Sequence, residues 1–365
     1  MKKLYTFLLF IPFAATAQKS VDLDKFHFKV QYRSLPAMRI DSTYRTFHVT
    51  VESTKLMTPF LQDISPEKTV RIEGWRKLAQ DGHLSVKIKL GDLLPGDVAI
   101  KERVVTTKNR SGVVTGTKIY YSQEVTYTFE AEANITDHKG IHIMDQQMAN
   151  RNNKRIYRSP EFSIRHLAEG YFVLNSLAIT KELYRENVNN AMQNLSERLT
   201  TSFGFDAVTA NDFMWVIDSR KHPEYKSWRT AFQQMHDALF NMTANKSIAG
   251  MKEQLKPAID YFEKIKKTYS STNRHDRKIR YGSYYNLAVL YYYLDDPQAM
   301  AKEASGLVLN DFDPKDGKSF ESTATWLRNL FEQTNIYTRH FAIDINSLKG
   351  PNEASNATAS ANKPE

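Results

Sequence analysis

The chain has no cysteine in its 365 residues. That excludes a disulfide framework, a thiolate metal site and a lipid anchor carried on cysteine. No GxSxG, HExxH or GxGxxG occurs either, so the marks of a hydrolase nucleophile elbow, a zincin and a dinucleotide fold are missing. Gly317-Lys318-Ser319 imitates the end of a phosphate loop, but Phe312 stands where the first glycine belongs and no buried strand precedes it. Long apolar runs are absent beyond the N-terminus, and the run there, Leu4 to Ala14, falls well short of the roughly 18–20 residues a membrane span needs.

That N-terminal run has another reading. Lys2 and Lys3 precede it, and Ala15-Thr16-Ala17 follows as a small-residue cleavage pattern before Gln18. Residues 1–17 therefore read as a secretory signal, and a periplasmic or secreted protein is expected after cleavage near Ala17. The remaining chain is an ordinary globular mixture, 41% hydrophobic and 25% charged, long enough for two domains. Its formal charge of +9 falls by two when the leader leaves. A mild excess on an exported chain argues against nucleic acid and for a solvated surface, with an anionic polymer or lipid headgroup as the natural counter-surface.

From Gln18 to Pro160 the hydrophobic period is two. Phe26, Phe28, Val30 and Tyr32 alternate with polar neighbours, as do Phe47, Val49 and Val51; Leu84, Val86 and Ile88; and Val125, Tyr127 and Phe129. Turn chemistry separates the runs at Gln80-Asp81-Gly82, Leu94-Pro95-Gly96-Asp97, Asn109-Arg110-Ser111-Gly112 and Asp137-His138-Lys139-Gly140. Residues 18–160 are thus expected to form an antiparallel β-sandwich, with 145–163, polar and basic, as a linker or a crossing over the surface. After that the period becomes 3.6. Stripes run through Tyr184, Val188, Ala191, Leu195 and Leu199, with Thr180 as a cap; through Tyr225, Trp228, Phe232, Met235, Leu239 and Met242; and through Ile248 to Tyr269, where Pro257 should kink or split the helix. Residues 161–349 are expected to be all-α. Residues 350–365 are small and polar and read as a disordered tail.

The best-organised stretch is Tyr281 to Asn310. Tyr281, Tyr284, Tyr285, Ala288, Tyr291 and Tyr292 share a helical face. Asp296 can then cap a second helix that opens with Pro297 and carries Ala299, Met300, Ala304 and Leu307. Tyr284, Leu287, Ala288 and Tyr291 fall where the tetratricopeptide repeat, a helical hairpin of about 34 residues, has its large aromatic, leucine, small and tyrosine positions. The segment 246–315 therefore resembles that family, though Met300 stands at the alanine position and Pro314 comes late. The layout also resembles exported envelope proteins of Gram-negative bacteria that join a β-rich front to such a helical back. That layout implies location and an α+β architecture and carries no activity, while the repeat resemblance implies ligand contacts on the first helix of each hairpin, here Tyr284, Tyr285 and Tyr292. With no catalytic or cofactor motif in the chain, neither catalytic residues nor a cofactor is expected. The expected function is a non-enzymatic scaffold that holds an envelope or secreted protein or peptide, without spanning the membrane.

The alternative is glycan or cell-wall polymer binding by the β half, for which Trp75, Tyr120 and Tyr121 are the stacking candidates. Other constellations weigh less. His138 and His142 have a ligand spacing, but Gly140 makes their segment a turn with no third ligand. Asp311, Asp313, Asp316 and Gly317 miss the calcium-loop spacing, and Ser322 replaces its bidentate glutamate. The basic clusters at Arg151, Lys154, Arg155 and Arg158 and at Lys264 to Arg280 read as solvated loops.

Overall fold

The computed structural model describes residues 21–61 and 63–353, so the signal sequence and residues 354–365 of the expected tail lie outside the described residues. The elements run β1 (Leu23–Arg33), β2 (Thr46–Ser53), α1 (Thr58–Leu61), α2 (Pro66–Thr69), β3 (Arg76–Lys77), β4 (Leu84–Leu90), β5 (Leu94–Lys108), β6 (Val114–Thr128), β7 (Ala131–Asp137), β8 (His142–Ala149) and β9 (Arg155–Arg158). Then come α3 (Arg165–Leu174), α4 (Ser176–Phe203), β10 (Ala207–Ile217), α5 (Tyr225–Phe240), α6 (Met251–Gln254), α7 (Lys256–Thr268), α8 (Arg274–Tyr293), α9 (Pro297–Asn310) and α10 (Pro314–Thr334). The chain is α+β. Among the described residues no helix is long and apolar enough to cross a membrane.

The compact units do not follow the break at residue 160. One gathers residues 33–208 with 330 onward, the other residues 21–32 with 209–329. The reason is that β1 finds its partner in β10, far along the chain, and that α4 packs on strands instead of on the later helices. Periodicity tells which face of an element is apolar, not which element covers it.

In the first unit a five-stranded sheet is ordered β3-β2-β4-β7-β8. Leu84, Val86, Ile88 and Leu90 on β4 and Ala131, Ala133 and Ile135 on β7 are buried on one face, and α4 packs against β7 and β8 with Tyr184, Val188, Met192, Leu195 and Leu199 buried. The opposite face is wet and charged, with Lys87 paired to Glu52 at 2.8 Å and Lys89 to Glu132 at 3.4 Å. The antiparallel expectation fails here: β2 runs parallel to both β3 and β4, while β4–β7 and β7–β8 are antiparallel. The connection through α1, α2 and β3 is long enough to return the chain in the same direction, and alternation carries no information about direction.

The expected linker at 145–163 is also corrected, since it holds the end of β8 and all of β9. Its basic residues are paired: Arg151 with Glu130, Lys154 with Asp97, Arg158 with Glu124. Thr180 lies inside α4, not at its start. Of the expected tail, Gly350 to Glu353 are described in a turn, where Arg76 reaches Glu353 at 3.4 Å.

A second sheet in this unit is ordered β5-β6-β9. β5 and β6 form a long hairpin closed by the turn seen in the sequence. Asn109 accepts the Ser111 and Val113 amides through Oδ1 at 3.0 and 2.9 Å, and Gly112 takes the left-handed conformation (φ +78°) that suits glycine. The hairpin root is buried at Ser122, Gln123, Val125 and Tyr127.

The other unit pairs β1 with β10 and packs α5 on α7, α7 on α8 and α8 on α9. Its core is aromatic and aliphatic: Trp228 stands edge-on to Phe262 at 4.9 Å, among Met235, Leu239, Leu287 and Leu290. Local rules hold well here. Pro257 sits in the first turn of α7, and α6 ends just before it. Asp296 caps α9 by accepting the Ala299 amide at 2.9 Å, and Asn273 caps α8 through Asp276 at 2.7 Å.

Candidate functional site

The six tyrosines of α8 are the first place to look for a binding face. Tyr285 is only 7% exposed. Its ring stacks on Phe213 at 5.2 Å and 24°, and Phe320 meets it edge-on at 5.0 Å. Tyr292 is half-buried, edge-on to Tyr293 at 4.8 Å and near Tyr32 at 6.5 Å. Tyr284 is half-buried between Gly306 of α9 and the Lys266 ammonium, which sits 4.6 Å over its ring. Tyr281 donates to Asp316 at 2.5 Å and Tyr293 to Asp212 at 2.9 Å. Burial pushes the phenols of Tyr281, Tyr285, Tyr291 and Tyr293 above the usual tyrosine range, so none of these four is poised to ionise near neutrality, and burial also raises the Asp212 carboxyl.

What covers this face is the chain's own strand pair. The Asn286 side chain, fully buried, donates to the Trp215 carbonyl at 2.8 Å and accepts the Trp215 amide at 2.7 Å, so its carboxamide does for β10 what a neighbouring strand would do. Trp228 donates its indole N–H to the same carbonyl at 3.0 Å. Phe213 and Trp215 thereby lie against Tyr281 and Tyr285, with Phe28 and Tyr32 of β1 against Tyr293. Sequence spacing put five of the six tyrosines on one broad face, with Tyr293 off it; it could not say that Tyr281, Tyr285 and Tyr293 would be covered from within.

The other candidates disperse. Trp75 is buried and donates its indole N–H to the Phe203 carbonyl at 2.8 Å. Tyr120 lies under the Arg103 guanidinium at 5.1 Å, and Tyr121 is half-buried with its backbone bridged to Phe162. His138 packs on Tyr44 and His83, whereas His142 pairs with Asp145 at 3.1 Å, so the two imidazoles serve different neighbours. Asp316 is taken by Tyr281 and Asp311 by Arg277. Among the described residues no three His, Cys, Asp or Glu side chains are placed to hold a metal ion. Lys266 is also committed, bridging Glu303 at 2.7 Å and Glu263 at 2.9 Å inside the helical unit.

Two features of the first unit remain open to a ligand. One is a cleft of about 860 Å³ walled by Ser34, Arg71, Glu73, Gln193, Glu197 and Asp206. Ser196 and Thr200 of α4 form its floor, accepting the Arg71 and Glu73 amides at 3.1 and 3.2 Å. Hydroxyl, carboxamide and carboxylate groups on one concave surface are suited to hydrogen-bonding a polyol. The other is an aliphatic ridge on α3 and the start of α4. Ala168 is buried as α3 packs on β6, and Gln123 clamps the helix by accepting the Phe172 amide and donating to the Glu169 carbonyl, both at 2.9 Å. On the outer side Ile164, Leu167, Val173, Leu174 and Leu177 are between 55% and 85% exposed. The sequence signal was there: this helix is apolar on both sides, where a surface helix should be apolar on one.

Neither a protein-family model nor a curated protein matches the chain.

Proposed function

We propose that the protein is an exported, non-enzymatic scaffold that binds a partner protein through the α3–α4 ridge. The observation that carries this reading is the exposure of five large aliphatic side chains from Ile164 to Leu177, three of them on α3, a helix that packs on β6 through its other side. Monomeric proteins seldom leave such a contiguous stripe to water, and a helix ridge of this kind fits an apolar groove on a partner. The tetratricopeptide-like reading of the helical unit is supported by the succession α5, α7, α8, α9, each packed on the next. With Tyr285 under Phe213 and Phe320, however, the partner contact is moved from the tyrosine face to the ridge. The β-sandwich reading draws support from alternation alone, because the charged face of the five-stranded sheet has no second sheet against it among the described residues.

The test is affinity capture from envelope extracts with the chain from Gln18 onward and its Leu174→Asp/Leu177→Asp variant. A partner retained by the first and lost by the second supports the reading. Partners retained equally by both refute it. A second reading, polyol or glycan binding, rests on the polar cleft; a glycan array in which Glu197→Ala and Gln193→Ala abolish a specific signal would establish it, and silence would remove it.

A further inference from the structure

The β5–β6 hairpin changes character at about Val104. Toward its root, charges are matched: Arg103 with Glu161, Arg165 with Glu102, Lys101 with Glu124. Beyond it, residues 104–119 hold Lys108, Arg110 and Lys118 and not one acidic residue. None of these three forms an ion pair among the described residues. In the same stretch Val104, Val113, Val114 and Ile119 are each 40–59% exposed.

The register puts such groups on both faces of the ribbon, since consecutive pairs point to opposite sides. Val104 stands opposite Ile119, Val105 opposite Lys118, and Lys108 opposite Val114 at the tip. Directly opposed residues of an antiparallel pair share a face, so Val104 and Ile119 make an aliphatic pair on one face and Val105 and Lys118 a mixed pair on the other, with Lys108 and Val114 mixed again at the tip. β9 pairs only with Glu124 to Tyr127, which leaves both sides of the outer hairpin uncovered. A bare two-stranded ribbon is marginal in water, yet this one has a well-formed turn with Asn109 and Gly112 in their favoured roles.

We propose that the outer half of the hairpin, residues 104–119, docks on an anionic lipid surface, the tip valines entering the headgroup boundary while Lys108, Arg110 and Lys118 meet phosphate. Unmatched positive charge selects an anionic surface, and the aliphatic groups select one with an apolar interior. A nucleic acid fits less well: residues 104–119 contain no aromatic side chain on which a base could stack. A Lys or Arg stem lying along the ribbon can keep its head at the phosphate level while its methylenes stay in contact with acyl chains.

The experiment is vesicle co-sedimentation of the chain from Gln18 onward, so that Leu4 to Ala14 cannot contribute, against phosphatidylethanolamine vesicles with phosphatidylglycerol and against phosphatidylcholine vesicles. Binding to the anionic vesicles alone is expected, weakening as salt is raised. Each of Lys108→Gln, Arg110→Gln and Lys118→Gln should lower the partition about fivefold, and Val113→Ser/Val114→Ser about tenfold. All these side chains are exposed, so an unchanged urea midpoint will show that the fold is kept. Absence of binding to anionic vesicles overturns the proposal. So does binding that survives in the triple glutamine or the double serine variant. Polyglutamate, an anion without acyl chains, serves as the control: if it competes fully and the serine variant binds it and the vesicles as well as the parent does, the surface recognises charge alone and the lipid assignment falls.

Discussion

Replacing Tyr285 by alanine separates a core tyrosine from a contact tyrosine. The ring is covered by Phe213, Phe320 and Tyr281 at 5.2, 5.0 and 5.9 Å. Truncating a large buried aromatic costs about 3–5 kcal/mol, including the cavity left behind, and aromatic pairs of this geometry add about 0.5–1.5 kcal/mol beyond area. Tyr285→Ala should therefore lose about 3–4 kcal/mol, toward the lower end because alanine lets Phe213 and Phe320 relax inward. At a urea slope of about 1–3 kcal/mol per molar, the midpoint falls by about 1–4 M. Tyr285→Phe keeps the ring and should lose under about 1 kcal/mol. Three of the four tryptophans, Trp215, Trp228 and Trp326, lie in the same compact unit, so indole fluorescence during urea unfolding reports on the right part of the chain. A Tyr285→Ala midpoint within about 0.3 M of the parent would refute the internal packing of α8 and return Tyr285 to the list of contact residues.

Three further outcomes follow from named groups. Lys266→Met leaves the buried Glu303 carboxylate beside Glu263 without its cation and should cost about 3–5 kcal/mol at pH 7; burial already raises the Glu303 carboxyl, so the loss should shrink at pH 5 as it takes a proton, which urea midpoints at the two pH values will measure. Burial lowers the imidazoles of His48, His83 and His222, and His222 accepts the Glu224 amide at 3.1 Å through Nδ1. For a base held below its unfolded value of about 6.5, the unfolded chain takes the proton first. The stability they confer is complete above that value and declines as pH falls beneath it; His222→Gln should flatten the decline in the helical unit, and an unaltered pH profile of the tryptophan-monitored midpoint would count against it. Finally, a Cβ added at Gly306 would meet the Tyr284 ring well inside contact distance, so Gly306→Ala should destabilise by about 1–3 kcal/mol despite alanine's better helix propensity, as read by thermal melting; a higher melting temperature would show that α8 and α9 are not so close.

Much of the local structure was legible because it is written in single residues and short spacings. Asn109 and Gly112 specify the hairpin turn, Pro257 the break between α6 and α7, and Asp296 with Pro297 the start of α9. The alternation of Leu84, Val86 and Ile88 specifies a strand with one dry face. Each depends on φ, ψ and side-chain reach within a few residues, and these forces act before any tertiary contact exists.

What the sequence by itself determined, then, is an α+β chain with its turns, caps and apolar faces in place. Only the tertiary structure decided what each face meets. Strand direction in the five-stranded sheet, the pairing of β1 with β10, and the filling of the tyrosine face by Phe213 and Trp215 all join residues far apart along the chain. The same holds for the bare outer hairpin, whose apolar residues look in sequence like any other buried set, and on α3 apolar residues on both sides did not tell which side would stay uncovered. Burial is a property of the partner an element finds, and the free energy that selects that partner is shared over a whole core.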